Sequence, residues 1–212
     1  MLKKLNTPNT LTMIRIFLVP IFLLMIIPLP EAWTSSELGT FGRIVSEYNY
    51  FVDHYGSYFA AAIFIVASST DAVDGYIARK TKQITKMGKF LDPIADKLLV
   101  TAALLALVQN GSISSWVAII IIGREFIVTG FRLIAASDGK VIAANIWGKI
   151  KTTLQMIAIT LALLKNYPIA FISGLEKFPL YDIIMFFAVV ATVVSGCIYI
   201  VENIDVLDSD VQ

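Results

Sequence analysis

Six apolar runs, each about as long as a membrane helix must be, dominate this 212-residue sequence. A helix crosses a hydrocarbon core with about 20 predominantly apolar residues, and within that core the segment must satisfy its own backbone polar groups. The runs lie at approximately 9–29, 58–79, 88–109, 115–136, 143–164 and 180–201. Turn signals separate them at Asn110-Gly111, Asp138-Gly139 and Asn166-Tyr167-Pro168. Composition agrees, with 57% of residues hydrophobic and 16% charged, against about 45–50% and about 25% in soluble domains. The expected fold is an all-α integral membrane protein, a single membrane-embedded domain over residues 1–212 with six transmembrane helices.

The longest connection, 31–56, mixes Trp33, Phe41, Tyr48, Tyr50, Phe51 and Tyr55 with polar residues. Aromatic residues of this kind collect at membrane–water interfaces, so an interfacial helix is expected between spans one and two. Lys3 and Lys4 before the first apolar run resemble the start of a signal peptide. Pro28, Pro30 and Trp33 follow instead of a small-residue cleavage pattern, so the run reads as a retained span. Lys3, Lys4, Lys80, Lys82, Lys86 and Lys140 fall on one side of the expected topology, and Arg43, Lys165 and Lys177 on the other. The first side is therefore cytoplasmic, with both termini. The expected location is the cytoplasmic membrane. The net charge of +1 gives no electrostatic footprint for nucleic acid. Cys197, the single cysteine, reads as a small buried apolar residue, and His54, the single histidine, lies in a polar connection.

The informative residues are ionisable groups inside the apolar runs. Run two holds Asp71 and Asp74, run three Asp92, Asp96 and Lys97, run four Arg124, Glu125 and Arg132, and run five Lys149 and Lys151. Each such group at a helix centre costs about 2.5–3.5 kcal/mol on insertion scales and normally marks function. The expected topology puts all of them toward the cytoplasm, which implies one cytoplasm-facing polar cavity. Asp71 and Asp74 are three apart, and Asp92 and Asp96 four apart, so each pair shares a helix face. Two carboxylates about 4 Å apart repel by roughly 4 kcal/mol at an effective dielectric near 20, so cations or protons must intervene. An all-oxygen ligand set suits Mg²⁺, Mn²⁺ or Ca²⁺, and paired ions suit phosphoryl-type displacement. Gly75 and Gly88 leave room beside the acids, Ala78 and Ala95 permit close helix contact, and Arg79 is placed to meet a phosphate.

The run from Asp71 through Asp74, Gly75, Ala78 and Arg79, followed after eight residues by Gly88, Asp92 and Asp96, resembles the signature of the CDP-alcohol phosphotransferase family. The six-helix hydropathy resembles that family over nearly the whole chain. The resemblance implies two divalent cations, Mg²⁺ or Mn²⁺, bound by Asp71, Asp74, Asp92 and Asp96, with Asp96 also the general base. It implies that Gly75, Ala78 and Arg79 line the site for the CMP and diphosphate of a CDP-lipid, with Gly88 packed against it, and that the enzyme is a homodimer among membrane lipids. Asn9, Thr12 and Arg15 are further candidates for nucleotide contact.

Three segments narrow the acceptor. They are Asn6 to Arg15, Gly123 to Arg132 and Gly148 to Gln155. All three resemble members that transfer the phosphatidyl group of CDP-diacylglycerol to glycerol 3-phosphate. A dianionic acceptor needs fixed positive charge, which Arg124, Arg132, Lys149 and Lys151 supply. Competing structural readings are a Glu125–Arg132 pair along one helix face and snorkelling of Lys149 and Lys151. Serine, inositol or phosphatidylglycerol would be alternative acceptors. A divalent-cation transporter with the acids as its permeation site is the opposing class.

Overall fold

The computed structural model describes residues 7–81, 86–137, 146–165 and 180–203. Over 7–11, 71–81 and 86–93, and at Ser36, Asp96 and Ser137, it describes the backbone alone. The described residues are mostly helical, without strands. Helix α1 spans Thr7–Ile26, α2 Gly39–Phe51, α3 Ser57–Thr81, α4 Lys86–Gln109, α5 Ser115–Ser137, α6 Ile146–Leu163 and α7 Leu180–Glu202. Each apolar run coincides with one helix, and α2 occupies the expected position between the first two. Among the described residues two stretches, Gly39–Thr70 and Leu180–Glu202, are long and apolar enough to cross a membrane by length and composition. Shorter apolar helical stretches lie at Thr12–Ile26 and Lys97–Gln109.

What each helix turns outward tells more than its mean hydropathy. On α7 the buried positions are Met185, Ala188, Thr192, Ser195, Gly196 and Tyr199, mostly small or polar. Its outer face carries Ile183, Phe186, Phe187, Val190, Val193 and Val194. On α4, Ala95, Ala102, Ala103 and Ala106 are buried while Leu98 and Leu105 are exposed. Small residues inside and large apolar residues outside is the arrangement of helices packed in lipid, where close backbone approach replaces the hydrophobic drive between helices. Cys197, expected to be buried, is exposed on the outer side of α7. A weakly polar thiol loses nothing among the valines there.

The described residues divide into two compact units. Unit 1 holds α1 to α4, and unit 2 holds α5, α7 and nearly all of α6. In unit 1, α1 packs along both α3 and α4, and α3 packs on α4. The buried stripe of α1 is Thr12, Arg15, Val19, Phe22 and Ile26, spaced alternately three and four apart. Phe22 meets Phe64 of α3 with ring centroids 6.4 Å apart.

The connection that expectation placed at the interface docks on the end of α1. The Tyr48 hydroxyl lies 2.5 Å from the Leu24 carbonyl oxygen and 3.1 Å from that of Ile27. Asn49 bridges both ways to Leu29: its Oδ1 accepts from the backbone N–H at 2.8 Å, and its Nδ2 donates to the carbonyl at 2.9 Å. Groups orphaned at the helix terminus are thus satisfied by side chains. A π-helical turn, Val52–Gly56, joins α2 to α3. A Cβ at Gly56 would drive into the Met25 carbonyl oxygen. Trp33, Phe41, Tyr50, Tyr55 and Tyr58 stay exposed around this corner.

In unit 2, α5 and α7 share one direction. Val117 lines a cavity with Met185 and Val189, Arg124 reaches Ser195, and Phe131 meets Tyr199. Contacts that ascend together on both helices require parallel axes. The Asn110-Gly111 turn leads into α5, with Gly111 at φ +69°, a conformation that suits glycine.

Candidate functional site

The acidic half of the expected site lies on α3 and α4. Asp71, Asp74, Gly75, Ala78 and Arg79 occupy the last turns of α3, and Gly88, Asp92 and Asp96 the first turns of α4. Their side chains lie outside the described residues, as does that of Asn9. The backbone still fixes their levels. Asp71 is ten residues before the end of α3, and Asp96 is ten residues after the start of α4. Asp74 and Asp92 are seven and six residues from the same ends. At 1.5 Å rise per residue, both members of the first pair lie about 15 Å from the connection and both of the second about 10 Å. The helices pack on each other and are joined by residues 82–85, so the four positions form two rungs across one helix pair. Positions 71 and 74 continue the four–three spacing of Ala60, Phe64 and Ala67 along α3.

Helix α1 adds a third wall. It runs antiparallel to α3, since Met25 abuts Gly56 while Phe22 meets Phe64. Seven residues from that ring contact, toward the start of α1 and the end of α3, lie Arg15 and Asp71; ten residues away lie Thr12 and Asp74. Thr12 and Arg15 are both 2% exposed. A buried threonine and a buried arginine therefore stand level with the acidic rungs. As ligands for a cation, four carboxylates in two rungs present an all-oxygen donor set, which fits Mg²⁺ or Mn²⁺ and disfavours softer metals.

The basic residues gather in unit 2 around a residue that motif reading left undecided. Glu125 Oε1 accepts from Arg124 Nη1 at 3.2 Å and from the Lys151 ammonium. Arg124 Nη2 donates to Ser195 Oγ at 3.1 Å. Ser195 is buried and passes its own hydroxyl to the Thr192 carbonyl. One carboxylate thus links cations from α5 and α6, and α7 holds the arginine from the other side. Gly196 makes room for it: a Cβ there would lie 3.1 Å from Arg124 Cγ. Lys151 is 3% exposed, and a buried ammonium without a counter-ion is strongly disfavoured. Removing one member of such a pair typically costs about 3–5 kcal/mol, because the other is left uncompensated.

The other two cations stand outside this network. Arg132 is exposed, with its guanidinium carbon 5.8 Å from the Tyr199 ring centroid, and Lys149 is exposed on α6. The Glu125–Arg132 pair considered from the sequence is replaced by Glu125 with Lys151 and Arg124. A partner on a neighbouring helix offers better geometry than one two turns along the same helix.

Gln155, one turn beyond Lys151, is 3% exposed, and among the described residues its Oε1 has no hydrogen-bond partner. An orphaned buried acceptor of this kind costs about 1–3 kcal/mol. Ser195 and Gly196 carried no sequence signal of site membership, Glu125 stood out only as an ionisable group in an apolar run, and Gln155 only closed a resembling segment. A separate cavity of about 510 Å³ near the start of α5 is lined by Ile113, Val117, Met185 and Val189, with Asp182 as its charged group. It offers no cation to a phosphate.

A model of the CDP-alcohol phosphatidyltransferase family matches residues 5–194. The chain is 46% identical over 202 residues to the CDP-diacylglycerol–glycerol-3-phosphate 3-phosphatidyltransferase of Bacillus subtilis, covering 95% of this chain and 97% of that protein. Proteins of the same name are 38% identical in Pseudomonas fluorescens, over 77% of this chain and 74% of that one, and 37% identical in Haemophilus influenzae, over 74% of each.

Proposed function

The chain belongs to the CDP-alcohol phosphatidyltransferase family, and from that premise we propose that it transfers the phosphatidyl group of CDP-diacylglycerol to sn-glycerol 3-phosphate, giving phosphatidylglycerol phosphate and CMP. The observation that carries the chemistry is the pair of aspartate rungs on α3 and α4, level with Thr12 and Arg15. The relatives' names and the Arg124–Glu125–Lys151 group support the acceptor.

Asp71, Asp74, Asp92 and Asp96 would hold two divalent cations. When bound, these supply positive charge that neutralises the diphosphate and stabilises the leaving oxygen. Asp96 takes the proton of the acceptor hydroxyl. The hydroxyl oxygen bonds to the lipid-side phosphorus, the bond from that phosphorus to the CMP oxygen breaks, and CMP leaves with the electron pair. Gly75, Ala78, Arg79 and Gly88 line the nucleotide and diphosphate site, and Asn9, Thr12 and Arg15 close it from α1. Arg124 and Lys151 bind the acceptor phosphate, held in place by Glu125 and Ser195. Arg132 and Lys149 serve as outer cations that attract the acceptor.

The same proposal includes six spans, α2 as an interfacial helix, a homodimer in the cytoplasmic membrane, and both termini and the active site facing the cytoplasm. The test is metal dependence of CMP release by purified protein with CDP-diacylglycerol and glycerol 3-phosphate. EDTA should abolish release, and Mg²⁺ or Mn²⁺ should restore it. Undiminished release in EDTA would overturn the aspartate mechanism.

A further inference from the structure

The phosphate group explains Arg124 and Lys151 and leaves Gln155 without a task. Gly148, Lys151 and Gln155 are spaced three and four apart and so share one face of α6. The first lies 4.0 Å, measured from an added Cβ, from Arg124 Nη2, and the second pairs with Glu125. Gln155 sits about 6 Å further along the helix than Lys151 at 1.5 Å per residue. The neighbouring hydroxyls are committed: Thr152, Thr153 and Thr160 each donate to the carbonyl four residues back. Gln155 Oε1 is the buried side-chain acceptor on this face without a donor. Arg124 and Glu125 side chains are 14% and 28% exposed, so the group has an open side for a small polar ligand.

Glycerol 3-phosphate offers three handles. Its phosphate matches the two cations. Its terminal hydroxyl must be left to the base. Its secondary hydroxyl, adjacent to the phosphate-bearing carbon, needs an acceptor beside the phosphate site. We propose that Gln155 is a specificity-determining residue whose Oε1 accepts a hydrogen bond from the secondary hydroxyl of the acceptor while Arg124 and Lys151 hold its phosphate. This rests on the proposed function. An amide oxygen has two lone pairs, so a side-chain rotation toward the bound acceptor exchanges an empty hydrogen-bonding site for a filled one. It also gives the enzyme a means of rejecting phosphorylated alcohols that lack the middle hydroxyl, which would leave the amide unpaired.

The experiment compares glycerol 3-phosphate with 3-hydroxypropyl phosphate, which keeps the phosphate and the terminal hydroxyl, using full-length protein in detergent. The unaltered enzyme should prefer glycerol 3-phosphate by at least about 100-fold in kcat/KM, as sites built around a substrate hydroxyl do. In Gln155→Leu that preference should shrink to roughly threefold, through loss on glycerol 3-phosphate alone, with the KM for CDP-diacylglycerol within about twofold. Gln155→Met, closer in shape, should behave alike. Equal loss on both acceptors, or a preference left intact, overturns the proposal, as does failure of both variants to fold, which would make Gln155 structural. Absence of CMP release from the unaltered enzyme with glycerol 3-phosphate would instead overturn the parent reading.

Discussion

The two ends of the proposed chemistry are built by opposite means. In unit 1 four aspartates stand in two rungs on adjacent helices, with Arg15, Arg79 and Lys97 among the basic residues of α1, α3 and α4. In unit 2 each cation of the central group already has a partner: Lys151 and Arg124 share Glu125, which leaves one positive charge over, and Arg124 also donates to Ser195. Four carboxylates on one helix pair favour further positive charge, brought as metal or substrate. A basic cluster with its own carboxylate can fold empty and wait. The first should therefore fail through chemistry when altered, and the second through stability and acceptor binding together.

The sharpest way to break that contrast is at Asp96. Asp96→Asn should lower turnover by about 10²–10⁴-fold, the range for loss of a general base, while nucleotide binding and the melting temperature stay near their original values and metal binding is largely retained through the other three aspartates. Loss of fold instead would show that the acids are structural. Next comes Glu125→Gln. It strands a buried ammonium, so thermal unfolding in detergent should show a destabilisation of about 3–5 kcal/mol, with a raised KM for glycerol 3-phosphate. Adding Lys151→Met should recover most of the stability and none of the acceptor affinity. Recovery of both would mean that the pair serves only packing. The smallest effects should come from the outer cations. Arg132→Ala should raise the KM for glycerol 3-phosphate more than that for CDP-diacylglycerol, but less than Arg124→Ala does, and Lys149→Ala less again. If Arg132→Ala exceeds Arg124→Ala, the anchored group is not the centre of the phosphate site.

The same contrast explains what could be read from the sequence. The helices were legible because apolar length is a local property, and the Asn110-Gly111 turn because glycine tolerates its φ of +69°. The aspartates were legible because three- and four-residue spacing on one helix is enough to place them on a face. Their rungs became measurable once the helix ends were known. Arg124 and Lys151 could be recognised as cations and not as a pair, because Glu125 joins them across two helices. Ser195 and Gly196 were invisible: on an uncharged stretch of α7 a serine and a glycine look like ordinary small packing residues, and only the arginine lodged against them gives them a role. Cys197 went astray because apolar surroundings were equated with burial, which fails where the outer solvent is itself apolar.

The division of labour between the two regions is tested most directly by CMP release from the purified enzyme with CDP-diacylglycerol, Mg²⁺ and a panel of glycerol 3-phosphate, serine, inositol and phosphatidylglycerol. Release with glycerol 3-phosphate alone is the expected result. Release with serine or inositol in its place would keep the aspartate chemistry and contradict the assignment of Arg124, Glu125 and Lys151 to the acceptor's phosphate.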